Sequence, residues 1–353
     1  MIDDMVIVDA VVHPWNMSPE NQNPAAQAQI DAVYASHKLS YDEVHAEFVL
    51  RPEEFFRDIS FDVIGRAEFA ESPVDYAVLH SLPNLGFGLG PITLPEKCAE
   101  FRSENSHRCS MLGTVGTPII ETAIDDIKRQ IDLYDIDGVK LYPAFFYDGI
   151  GKGWRLDGQD WATPFLEFCR DQGLTRVAVH KALWLEPAPR EAFDIDDFDS
   201  PLDRFPEMTF EMVHGGAAFL DQTIELMKRH ANLYLTLETT FTFILTKPRV
   251  FAKILGKLVT EVGSDRLLFA SGNNLAHPLP LIDAFRGYQF APEYCEEFGI
   301  RELTEADCRN IMGENALKLY GVDRDALIAA TRNDRFAVAR AESIPRPWSG
   351  LRG

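Results

Sequence analysis

Three histidines and one lysine in this chain close or punctuate short aliphatic runs: His13 in DAVVHP, Lys140 in GVKLYP, His180 in VAVH and His214 in EMVHGG. Taken alone, a histidine in such a place is most often a structural group with its hydrogen bonds satisfied. Four polar residues at equivalent positions form a convergent set, because side chains that end parallel strands project into a common mouth. Imidazole there suits Zn, Fe or Mn and equally suits proton transfer. Glu238 ends a fifth such run, LYLTLE, with a carboxylate, and Asn273, Asn274 and His277 follow RLLFAS. Asn273 is placed to hold a substrate carbonyl or to shape the turn after its strand. Tyr142, Phe146, Trp154 and Trp184 follow the Lys140 and His180 runs and are expected to form an aromatic pocket for a bulky or cyclic substrate.

The runs that must position these residues number eight: 5–12, 76–82, 109–115, 138–142, 176–180, 209–214, 233–238 and 266–271. Each is short and nearly continuously apolar, as strands covered on both faces require, and eight is the number that closes a packed barrel. Stretches with apolar residues at three- and four-residue spacing lie between them, at 119–134, 164–173, 220–230 and 250–262, and another follows at 302–320. The alternation predicts an α/β chain folded as a (β/α)₈ TIM barrel over 1–334. The expected additions are a cap inserted at 14–75, a C-terminal helix and an extended tail at 335–353. The cap is expected because βα loops usually run to about 2–6 residues, and this one carries Trp15, Tyr34, His37, Tyr41, Phe55 and Phe56. The acidic stretch 194–203 reads as a solvated loop. The tail, with Pro345 and Pro347, reads as non-helical, either loosely ordered or wrapped on a neighbouring subunit.

Composition narrows the partners. Of the 353 residues 46% are hydrophobic, enough for a large core, and the net charge of −21 repels nucleic acid and anionic membrane surfaces. The five cysteines are scattered without a CxxC pair, which signals neither a disulfide framework nor a zinc knuckle. No apolar run approaches the roughly 20 residues that span a bilayer, and the N-terminus is acidic where a secretory signal is basic. A cytoplasmic enzyme with a small-molecule substrate is the expectation.

The motifs together resemble the amidohydrolase superfamily, in the branch that includes aminocarboxymuconate-semialdehyde decarboxylase and many metal-dependent hydrolases. DAVVHP resembles the first-strand ligand motif, VAVH and EMVHGG the fifth- and sixth-strand histidines, and NIMGENALKLYGV the closing helix. The resemblance implies a homodimer and a divalent metal, Zn, Fe or Mn, held by His13, His180 and His214. It also implies a further first-strand ligand and an eighth-strand carboxylate, and here those two places hold Val11 and Gly272. Three arrangements follow: Glu238 supplies the carboxylate, Lys140 is carbamylated and bridges metals, or the site works without metal.

The resemblance implies a shared metal and acid–base role for His214, with His13 and His180 as ligands, and Glu238 is the candidate for the missing carboxylate ligand, from a position the family does not usually use. Lys140, Asn273 and His277 are the further catalytic candidates. Hydrolysis of an amide, ester, lactone or thioester is the leading expectation. Non-oxidative decarboxylation of an aromatic or unsaturated acid is the alternative, disfavoured because no arginine follows a strand as a carboxylate clamp. A ligand-binding barrel without catalysis is the remaining one.

Overall fold

The eight aliphatic runs form one parallel sheet. In a computed structural model that describes residues 5–147, 150–342 and 346–352, the strands are Val8–Val12, Tyr76–His80, Cys109–Thr114, Gly138–Leu141, Arg176–His180, Thr209–Val213, Leu233–Thr236 and Leu267–Leu268. They pair in that order, first to eighth. The sheet closes where Ala10 N donates to Phe269 O (3.0 Å), Gly272 N to Val11 O (3.1 Å) and His13 N to Asn273 O (2.7 Å). Helices Ile120–Tyr134, Ala162–Asp171, Leu220–Arg229 and Pro248–Val262 cover it outside, each close to its predicted span. This is a TIM barrel. No helix among the described residues is long and apolar enough to cross a membrane.

Aliphatic side chains from alternate positions fill the barrel, among them Val8, Ala10, Val78, Leu112, Ala178, Val213 and Leu268. The closing segment plugs its lower end with Ala316, Leu317 and Tyr320. That segment reaches the barrel through Gly313: a Cβ there would stand 2.2 Å from Val6 O and 2.9 Å from Val6 C, both backbone atoms that cannot move aside. A side chain at 313 would therefore push the plug away from the first strand.

Three stretches differ from the sequence expectation. A two-stranded hairpin, Ala144–Tyr147 with Ile150–Gly153, follows the fourth strand where no further strand was predicted. In the acidic loop Asp197 is buried and pairs with Lys181 Nζ at 2.7 Å, so part of that loop is a structural anchor and not a solvated run. The tail is helical at Arg335–Ala341 and Ser349–Arg352. Trp348 is fully buried against His277 and donates to Phe48 O (2.7 Å), and Arg352 pairs with Glu54, so this part of the tail is fastened to its own chain. The cap is present as helix Gln27–Lys38, followed by Pro52–Phe55 and Phe61–Phe69.

A buried acid locks the barrel seam. Asp9 Oδ1 accepts from Val11 N (3.1 Å) and Ser271 N (3.0 Å), joining the first strand to the eighth. Burial pushes its carboxyl up to about 7, and Glu68, also buried, is raised by burial and by the charge of Asp9. The native chain thus keeps the Asp9 proton up to about pH 7, whereas an unfolded aspartate loses it near 3.9. Between those values the folded state binds more protons, so stability falls as pH rises, and above pH 7 the whole penalty is present.

Two predictions follow from these packing constraints. Gly313→Ala is expected to cost about 1–3 kcal/mol in urea unfolding, overpacking outweighing the gain in helix propensity; an unchanged midpoint would show that the plug has room. Asp9→Asn is expected to raise the urea midpoint relative to wild type more at pH 8 than at pH 5. Parallel pH dependences of the two proteins would remove Asp9 as the titrating group.

Candidate functional site

The convergent residues meet at the C-terminal ends of the strands, in a cavity of about 330 Å³. His13, Lys140, Tyr142, His180, His214 and Glu238 line its polar side, and Trp15, Val33, Phe87, Leu183, Trp184 and Leu185 line its apolar side. Helix Gln27–Lys38 contributes Ala28, Gln29, Ala32 and Ser36 from above, so the cap predicted from the first insertion does cover the mouth.

The floor is a chain of contacts whose protons can be placed. His180 Nε2 lies 2.7 Å from the Leu183 carbonyl, which can only accept, so the ring carries its proton there and leaves Nδ1 bare. Burial first, and then the nearby His214 and Lys140, push the imidazolium form of His180 well below the usual range, which agrees with a neutral ring. His214 Nε2 lies 3.0 Å from that Nδ1 and therefore donates to it. The other nitrogen, His214 Nδ1, stands in ion-pair contact with Glu238 Oε2. Burial works against the Glu238 charge, but His214, His13 and Lys140 around it hold the carboxyl below its ordinary value.

Two backbone features create this contact. His214 has φ 66°, a left-handed conformation that costs a non-glycine residue roughly 1–2 kcal/mol and turns its ring across the mouth. Gly272 has φ 68°, and a Cβ on it would lie 2.2 Å from Glu238 Oε1. The seventh-strand carboxylate thus fills the space that an eighth-strand side chain would take.

Lys140 lies deeper and is almost wholly shut off from solvent. Burial lowers its amine to about 7, while Glu238 and Glu211 pull the other way. Glu211 sits inside the barrel, where it accepts from Tyr320 Oη (2.7 Å) and Thr236 Oγ1 (3.2 Å). His13 is also buried, and its ring is held down to about 4, chiefly by burial, so it is neutral at physiological pH.

A divalent metal needs three or four donors turned to one centre. His180 comes nearest, its Nε2 anchored on a carbonyl and its Nδ1 presented. That Nδ1, however, faces His214, and the second nitrogen of His214 is engaged with Glu238. Val11 and Gly272 offer no donor, and among the described residues no three His, Cys, Asp or Glu side chains are grouped to hold an ion. Of the expected Zn, Fe or Mn ligands, His180, His214 and Glu238 are thus in contact with one another, while the buried His13 Nδ1 has no hydrogen-bond partner, and the four do not form a closed donor set around one centre.

Four other predicted residues lie elsewhere. Asn273 is buried away from the cavity, donating to Glu68 Oε1 (2.6 Å). His277 caps helix Pro278–Phe285 and pairs with Glu71 (2.9 Å). Phe146 packs with Ala188, Ala192 and Phe193 under the hairpin. Trp154 stacks on Phe145 and lies against Trp161. Of the four aromatics only Tyr142 and Trp184 reach the cavity. Sequence reasoning missed Trp15 and Phe87 in the wall, and also His80, whose two ring nitrogens are buried without a partner and whose charged form burial, Lys140 and His13 disfavour. His80 ends its strand as the other histidines do, and that position was the available signal.

Comparison with known proteins bears on fold and lineage. No curated protein matches the sequence. Among solved structures, an uncharacterized TIM-barrel protein from Bordetella bronchiseptica is similar with a TM-score of 0.63 at 17% identity, over 90% of this chain and 99% of that one. A dihydroxybenzoic acid decarboxylase from Polaromonas sp. JS666, with bound manganese and the inhibitor 2-nitroresorcinol, is similar with a TM-score of 0.56 at 14% identity, over 91% and 98%. A probable 2-pyrone-4,6-dicarboxylic acid hydrolase from Acinetobacter baumannii, with citric acid bound, gives 0.54 at 12%, over 90% and 100%. The family profile described as Amidohydrolase matches residues 8–322, nearly the whole barrel, and the chain belongs to that amidohydrolase family.

Proposed function

We propose that the chain is a hydrolase that opens a small neutral ester, lactone, amide or thioester carried on an aromatic or aliphatic body. The observation that carries this reading is the Glu238–His214–His180 array on the floor of a cavity with apolar walls and no arginine in its lining. Similar structures include decarboxylases of aromatic acids and a dicarboxylic acid hydrolase. An anionic substrate needs a cationic clamp, and in this cavity Lys140 is the one lysine or arginine among the lining residues. A neutral carbonyl compound suits the lining better.

In this mechanism the acid of the site is His214. Its Nε2 proton, backed by the Glu238 charge across the ring, passes to the leaving oxygen, nitrogen or sulfur as a water attacks the carbonyl carbon. The proton released by that water returns to Nε2, so the pair ends as it began. Between turnovers His180 Nδ1 accepts the hydrogen bond of that Nε2 proton and so keeps the ring in place; during the reaction His214 gives the proton up to the leaving atom, and the ammonium form of Lys140 stabilises negative charge developing on the carbonyl oxygen. Trp15, Phe87, Tyr142 and Trp184 exclude bulk water and take the apolar body of the substrate. No step is routed through a metal, because the donors present do not close around one.

With a panel of aryl esters and lactones, His214→Gln and Glu238→Gln are each expected to lower kcat by about 10²–10⁴-fold with little change in KM. Full activity in either variant would discard the array as the acid–base device. Elemental analysis of protein purified without a chelator or histidine tag should find well below one equivalent of Mn, Fe, Co, Ni or Zn per chain, and turnover should survive dipicolinate. About one equivalent of bound metal that is lost in His180→Ala would overturn the metal-independent route.

A further inference from the structure

Among the described residues two lysines, Lys140 and Lys181, are buried, and their surroundings differ. Lys181 Nζ is saturated: it donates to Ala192 O (2.8 Å), Asp194 O (2.9 Å) and Asp197 Oδ2 (2.7 Å). Lys140 Nζ makes no hydrogen bond or ion pair among the described residues. It lies over the face of Tyr142, 5.2 Å from the ring centroid, and it opens on the cavity. A buried amine with no partner costs stability that a structural role would recover through acceptors, as Lys181 does. The barrel retains it at the end of the fourth strand, facing the space into which a substrate carbonyl would fit.

We infer that Lys140 is a nucleophile that condenses with small aldehydes or ketones of apolar or aromatic body, forming an imine in the same cavity. The lone pair of Nζ adds to the carbonyl carbon and the π pair moves to oxygen. The carbinolamine then loses that oxygen as water, which carries away the two amine protons, so that a C=N bond replaces C=O with no oxidant or co-reactant. His214, on the same cavity floor, is the group able to lend a proton to the departing hydroxyl and take one back from nitrogen. Burial supports the amine form: with Lys140 at about 7, roughly half of it is free base at neutral pH, against well under one percent for an exposed lysine. Trp15, Phe87 and Trp184 supply walls for a ring, and the lining lacks an arginine that would favour a keto acid. The inference rests on Lys140 and the cavity walls and not on the hydrolytic reading, so either can fail alone.

The experiment is reductive trapping. The intact protein is incubated at pH 7 with benzaldehyde or, separately, propanal in the presence of cyanoborohydride, and the modified lysines are mapped by peptide mass spectrometry. Lys140 is expected to carry the reduced adduct at an occupancy about tenfold or more above that of any other lysine, because its free-amine fraction is far larger. Lys140→Met, checked for fold by circular dichroism, is expected to lose that adduct while background labelling stays the same. Labelling of surface lysines with Lys140 unmodified for both aldehydes would overturn the proposal. The wild-type map decides this even if the variant fails to fold, and it requires no hydrolytic activity.

Discussion

The contact between Glu238 and His214 is the interaction on which the site depends, and it exists because residue 272 has no side chain. A buried carboxylate is stable only beside positive charge or donors, and Glu238 has the ring of His214 against one oxygen, with His13 and Lys140 nearby. The space its other oxygen occupies is the space a Cβ at 272 would claim. The bare Gly272 on the eighth strand and the carboxylate of Glu238 on the seventh are thus two halves of one packing solution. The carboxylate is turned onto an imidazole.

Beneath this contact the barrel is polar in a graded way. Tyr320 from the plug and Thr236 satisfy Glu211, and the fields of Glu211 and Glu238 both reach Lys140 without contacting it. At the seam a second set, Asp9, Glu68, Asn273 and Ser271, ties the first strand, the eighth strand and the cap helix Phe61–Phe69 together. The two sets do different work: the seam set turns its groups to backbone and amide partners, whereas the inner one leaves Lys140 open to the cavity. Asn273 belongs to the seam set, and His277 pairs with Glu71 and caps helix Pro278–Phe285.

Lys140 and Lys181 show where pattern reading stops. Both lie at strand ends, the first in GVKLYP and the second directly after VAVH. A strand-end position predicts orientation, because alternation turns every second residue inward, but it does not say whether an acceptor waits there. Asp197 reaches Lys181 from a loop that the sequence presents as a solvated acidic run. The aromatics behave in the same way. Tyr142 and Trp184 enter the cavity, while Phe146 and Trp154 are drawn into the packing of a hairpin that carries too few residues to announce itself.

By itself the sequence determined the barrel, its eight strands, the helices between them and the placement of His13, Lys140, His180, His214 and Glu238 around one mouth. These follow from short-range periodicity and from the rule that parallel strands deliver their C-terminal residues to one face. Only the tertiary structure decided how those groups spend their hydrogen bonds. His180 is held by the Leu183 carbonyl, His214 by Glu238 and His180, and Trp348 of the tail by Phe48 and His277. Apart from the local His180–Leu183 bond, these pairings join residues far apart in the chain at separations of a few ångströms, and they are set by backbone twist and by the volume left empty at positions such as Gly272, neither of which a run of residue types encodes locally.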